Sequence, residues 1–113
     1  LRMLHTVRDR SAILVAFGDC AVTGNVTALR NPLRGALPVL QRAYGPDATR
    51  HPGVAPFDAV VPALTDRVTT LRGHVRVDYY LPGCPPPADL IHFVLSELLA
   101  GRTLDLRSRA KLG

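Results

Sequence analysis

The chain contains two cysteines, and both stand in short glycine-bearing stretches: Cys20 in FGDCAVTGN and Cys84 in LPGCPPPAD. A thiolate is a nucleophile and a soft metal ligand, so chemistry is to be sought first at these two residues. Gly18 and Gly24 flank Cys20, and Gly83 immediately precedes Cys84. Glycine reaches positive φ and lets the main chain come close to a bound group. Pro85, Pro86 and Pro87 stiffen the second stretch and carry no amide donor. Rigid loops with open amides beside a thiolate suit an iron–sulfur cluster, because hydrogen bonds to sulfur help set its potential. From residue type alone, a single disulfide, two structural thiols and half of a metal site all remain open.

Other reactive residues offer less. His5, His51, His74 and His92 show no metal-ligand spacing, and His92 falls on the polar side of its helix, facing solvent or an interface. Asp19, beside Cys20, can tune a cluster or simply be exposed, and exposure is expected. Thr23 can donate to a sulfur or hydrogen-bond within its own loop. Tyr79 and Tyr80 are expected to pack rather than to transfer electrons. The chain has no Ser–His–Asp arrangement, phosphate-binding loop or G-x-G-x-x-G fingerprint.

The elements that must position the cysteines follow from the hydrophobic pattern. Residues 1–9, LRMLHTVRD, carry apolar side chains at helical spacing. Residues 11–17, SAILVAF, form a short continuous apolar run, which predicts a strand buried on both faces, as in a parallel sheet. VTALRN predicts one or two helical turns closed by Asn31-Pro32. LRGALPVLQRAYG predicts a short or broken helix ending at Gly45, and residues 46–58 read as a surface loop. In RGHVRVDYYLPG, Val75, Val77 and Tyr79 alternate with Arg76, Asp78 and Tyr80, predicting a half-buried strand that runs into the second cysteine stretch. PPADLIHFVLSELLAG is the strongest helix, with prolines and Asp89 at its start and Gly101 after its end. Its apolar arc covers more than half the circumference, enough to pack on a sheet and on a partner as well.

Helix, buried strand and glycine-bearing loop together describe an α/β layer fold. In such sheets ligands bind beyond the carboxyl ends of the strands, which is where both cysteines fall. Two strands are only part of a doubly wound sheet. The chain begins at Leu1 with its only methionine at position 3, and its natural beginning is expected to lie upstream.

Bulk properties narrow the class. With 113 residues, 47% hydrophobic and 20% charged, the chain is an ordinary globular one. No apolar stretch approaches the ~20 residues of a membrane span. The net charge of +5 is partly gathered in GRTLDLRSRAKLG. Aromatic residues make up only 5% and do not interleave with the basic ones, which argues against nucleic acid and for a solvated tail or an acidic partner subunit.

GDCAVTGN followed 64 positions later by the cysteine of VDYYLPGCPPPADLI resembles the small subunit of nickel–iron hydrogenases and the related 20 kDa subunit of NADH:ubiquinone oxidoreductase. The likeness is strongest to the short small subunit of soluble, NAD-reducing hydrogenases, and it runs from the strand before Cys20 to the helix after Cys84. It implies that residues 1–113 are the C-terminal part of a flavodoxin-like doubly wound parallel sheet. In that family four cysteines hold a proximal 4Fe–4S cluster. By resemblance Cys20 is the third ligand and Cys84 the fourth, with Gly18, Gly24 and Gly83 shaping the loops. The first two ligands belong to an upstream loop that this chain lacks. Asn25 stands where many relatives have another glycine.

No cysteine occurs in the 29 residues after Cys84, so the likeness is to the single-cluster, cytoplasmic type. The implied function is electron transfer between the NiFe site of a large subunit and a flavin and NAD (diaphorase) module. The resemblance leaves room for FMN in the same subunit and assigns no residue to it. The alternatives are the cluster subunit of a complex I-type quinone reductase and a cluster-free docking or structural fragment.

Overall fold

The computed structural model describes residues 1–48, 62–106 and 109. They divide into two compact units, Leu1–Asn25 with Thr69–Gly113, and Val26–Val68. The predicted loop at 46–58 and His51 fall mostly or wholly outside the described residues.

The first unit is built on two strands. β1 (Val15–Phe17) and β2 (Tyr79–Leu81) pair in parallel, with Val15 opposite Tyr79 and Phe17 opposite Leu81. Backbone bonds extend the pairing beyond both ends: the Asp78 amide donates to the Leu14 carbonyl at 2.9 Å, and the Gly18 amide to the Leu81 carbonyl at 2.7 Å. α4 (Ala88–Leu99) lies against this pair. Leu90 and Val94, one helical turn apart, join Leu81 and Leu104 in a buried cluster, with Val15, Tyr79, Ile91, Phe93, Leu98 and Leu106 packed around it.

The ends of α4 follow the signals in its sequence. Pro87 stands at the N-cap, Asp89 lies in the first turn, and Gly101 takes φ +68 just beyond Ala100. The Arg102 guanidinium forms a two-bond pair with Glu97, at 2.8 and 2.6 Å, and holds that carboxyl below its usual range. Arg109 stacks over the Phe93 ring, 4.2 Å from its centroid.

α1 (Arg2–Arg10) buries no residue, and a helix of nine residues is marginal by itself. Arg8 ties it to the sheet. Its guanidinium donates to the Ser11 carbonyl, to the Arg76 carbonyl and to the Asp78 carboxylate, the last at 2.5 Å. The same Asp78 oxygen accepts the Leu14 amide at 2.8 Å, so one carboxylate joins α1, the lead-in to β1 and the lead-in to β2.

The second unit contains most of a 3-10 helix (Asn25–Leu33) and α3 (Ala36–Tyr44), which stops at Gly45 as its sequence suggests. The Asn31 side chain accepts from the Val68 amide at 2.7 Å and donates to the Val68 carbonyl at 2.9 Å. Asp66 accepts the Ala36 amide at 3.2 Å, placing a carboxylate at the positive end of α3.

Three expectations need correction. The run 11–17 is strand only from Val15, because Ser11 closes α1 and the Asp78 carboxylate takes the Leu14 amide. It is not buried on both faces either: Ile13 is 46% and Phe17 51% exposed. The alternating run before Cys84 is strand only over Tyr79–Leu81. Leu71–Gly73 form a 3-10 turn and the Val75 amide bonds back to Leu71, so Val75 is buried by a turn rather than by a ladder. VTALRN continues past Asn31-Pro32, since Asn31 clasps Val68 instead of ending the helix.

Leu81 is 1% exposed, and Leu81→Ala should destabilise the protein by about 2–5 kcal/mol in denaturant unfolding. The hydrogen bond from Arg8, then that from the Leu14 amide, lower the Asp78 pKa below its ordinary 3.8, against a smaller opposing effect of burial. A depressed carboxyl stabilises the fold above its unfolded pKa, and that contribution disappears as pH falls through the folded value. Asp78→Asn should therefore lower the melting temperature by several degrees at neutral pH, and thermal melts should show the gap closing in acid below 3.8.

Candidate iron–sulfur ligand loops

The parallel pairing does not stop at the strand ends but carries both chains into the cysteine loops. After Phe17 the backbone turns at Gly18, φ +83, into α2 (Asp19–Val22), whose second residue is Cys20. After Leu81 it passes through buried Pro82 to Gly83 and Cys84. The two loops are joined at Asp19 and Gly83. The Asp19 amide donates to the Gly83 carbonyl at 3.0 Å, and the Gly83 amide donates to Asp19 Oδ1 at 2.7 Å. Asp19 thus engages both polar groups of one peptide residue across the loop boundary.

Gly83 has no substitute in this geometry. Its φ is +131, and an added Cβ would meet Pro86 Cα at 2.5 Å and the Pro85 carbonyl at 2.9 Å. The proline run therefore folds back over Gly83, with Pro86 buried and Cys84 exposed; the Cys84–Pro85 peptide is cis.

The Cys20 loop closes on itself. The Thr23 hydroxyl donates to the Asp19 carbonyl at 3.0 Å and accepts the Asn25 amide at 3.3 Å. It is a loop brace. Gly24 is buried at φ +89, and Asn25 follows at φ +40. Asparagine is among the few side chains that adopt this left-handed region readily. Asparagine therefore holds this turn without a glycine at position 25.

Both cysteines are free thiols and exposed, so they do not form the disulfide that residue type alone allowed. Two exposed thiols on bonded loops at the carboxyl edge of a parallel sheet suit soft-metal ligation. Among the described residues no group of three or more His, Cys, Asp or Glu could hold a metal ion. Two thiols by themselves are too few to complete a four-ligand site.

Two local expectations change. Asp19 is half-buried and occupied, not exposed, because its carboxylate supplies the acceptor that the end of β2 lacks. The Gly83 amide is consequently not open to a sulfur. The only sequence signal for this was residue type, since Asp readily accepts from nearby loop amides; the pairing with Gly83, 64 positions away, comes from the sheet register. His92 is exposed and Tyr79 packs against the buried cluster, as expected. Tyr80 is half-buried, and the exposed His74 hydrogen-bonds Thr69.

Comparison with known proteins gives this geometry its context. The chain is 40% identical over 111 residues to the delta subunit of the NAD-reducing hydrogenase HoxS of Cupriavidus necator, covering 96% of this chain and 53% of that one. It is 28% identical over 109 residues to the iron-sulfur subunit of an F420-non-reducing hydrogenase of Archaeoglobus profundus, covering 88% of this chain and 34% of that one. A chain in the crystal structure of an NAD+-reducing [NiFe]-hydrogenase in the H2-reduced state superposes with a TM-score of 0.86 at 36% identity, over 99% of this chain and 64% of that one. The chain thus spans about half the length of its Cupriavidus relative. Residues 1–98 match the family described as NADH ubiquinone oxidoreductase, 20 kDa subunit, and the chain belongs to that family.

Proposed function

We propose that this chain is the C-terminal part of the electron-transfer small subunit of a cytoplasmic NiFe hydrogenase, with Cys20 and Cys84 supplying two of the four thiolates of its proximal 4Fe–4S cluster. The observation that carries the reading is that two exposed, free thiols stand on loops held to each other at the carboxyl edge of one parallel strand pair. The hydrogenase names of the relatives support it, and so does the iron-sulfur name of one of them. On this reading the strand pair is the C-terminal portion of a single flavodoxin-like domain, and the remaining two ligands lie upstream of Leu1.

The division of labour follows from the loops. Gly18 turns the chain so that Cys20 leaves β1 at once, and Gly24 and Asn25 return it. Gly83 and the prolines hold Cys84 outward on a path that a side chain at position 83 would block. These residues fix where the sulfurs stand before anything binds, and the bound cluster supplies one-electron transfer. Its partners would be a large subunit with the NiFe site and a flavin and NAD module, with FMN a further candidate in this subunit. No helix among the described residues is long and apolar enough to cross a membrane.

The family description also supports a complex I-type quinone reductase subunit as a second reading. The upstream ligand loop decides between them, with adjacent cysteines marking the quinone reductase and cysteines separated by two intervening residues the hydrogenase.

In the full subunit within its complex, Cys84→Ala and Cys20→Ala should each abolish the cluster's paramagnetic resonance signal and lower iron and acid-labile sulfide together. Wild-type iron content in either variant would remove that residue from the ligand set. Gly83→Ala should give the same loss in weaker form, with retention of cluster falling on the order of tenfold; unchanged retention would show that the loop tolerates a side chain there.

A further inference from the structure

We propose that Asp19 is a positioning residue for the cluster: its two bonds to Gly83 set the placement of the Cys84 thiolate relative to that of Cys20. The inference rests on the assignment of both cysteines as ligands. Asp19 is covalently next to Cys20, and Gly83 is covalently next to Cys84. The pair of bonds between them, 3.0 Å from amide to carbonyl and 2.7 Å from amide to carboxylate, therefore lies one peptide from each sulfur. One hydrogen bond would let the second loop pivot about it. Two bonds, one to its amide and one to its carbonyl, fix its rotation as well as its distance.

Other hydrogen bonds near the two cysteines serve different ends. The Thr23 hydroxyl bonds within the Cys20 loop, to the Asp19 carbonyl and the Asn25 amide. The Gly18 amide reaches the Leu81 carbonyl, which aligns the strands but sits three residues short of Cys84. The buried cluster of Leu81, Leu90, Val94 and Leu104 contains no residue of the Cys20 loop, so packing there does not set the position of that loop. Asp19 also decides which amides can face the sulfurs. By accepting the Gly83 amide it withdraws that donor, and its loss would leave a half-buried N–H free to turn to a sulfur or to water.

The test uses the full subunit in its complex and compares Asp19→Ala with Asp19→Asn. Asparagine keeps an oxygen acceptor for the Gly83 amide and removes the charge, whereas alanine removes the acceptor. Three quantities are read: iron content, the rate of iron loss to a chelator, and the resonance line shape of the reduced cluster. Asp19→Ala should lose iron on the order of tenfold faster, with a shifted line shape, the range expected for outer partners of metal ligands. Asp19→Asn should resemble the parent in both. Assembly of each variant with its partner subunit, followed by gel filtration, separates a misfolded subunit from a mispositioned ligand. If Asp19→Ala matches the parent in retention and line shape, or if Asp19→Asn fails as fully as alanine, the positioning role is overturned. If instead Cys20→Ala or Cys84→Ala keeps the cluster, it is the ligand assignment that fails.

Discussion

The arrangement of the site depends on the register of one short parallel ladder. Three residue pairs make the strands, but hydrogen bonds continue past Leu81 through Gly18 and Asp19 to Gly83. A parallel pair cannot be joined by a tight turn, so the chain between Phe17 and Tyr79 serves as the crossover. A slip of one residue would turn alternate side chains to the opposite face and set Asp19 against Pro82 or Cys84 instead of Gly83. Neither alternative offers the same pair of groups: proline has no amide, and a residue with a Cβ does not fit the path of Gly83.

That register is itself held from outside the ladder. At the amino edge, Asp78 gathers Arg8 and the Leu14 amide; at one face, α4 covers β2 through Leu90 and Val94. The strands are too short to be stable on backbone bonds alone. An ion pair at one end and apolar packing on one side together keep three pairs of residues aligned, and the carboxyl end is thereby left open for chemistry.

Much of this was legible in the sequence. The composition of the two cysteine stretches marked them, the punctuation of α4 by proline and glycine set its limits, and the ordered pair of motifs carried the family. What the sequence concealed was the use of side chains as substitutes for backbone. Asp78 takes the amide of Leu14, Asp19 takes that of Gly83, and Asn31 takes both groups of Val68. Each partner lies more than thirty residues away, outside the reach of local periodicity. For the same reason the alternation at 75–79 read as a longer strand than it is. Period-two burial reports which side chains go inward, not whether the intervening amides join a ladder.

The three prolines after Cys84 have a thermodynamic consequence. Proline has few conformations to lose, so a chain rich in it gives up less entropy when it becomes ordered. A loop of glycines and polar residues would lose that entropy at the moment of ligation, at about 1–2 kcal/mol per residue. Here Pro86 is already buried over Gly83 while Cys84 stays exposed. The ordering of the loop thus belongs to folding rather than to ligand binding, and the thiol is presented to its metal at little further entropic cost.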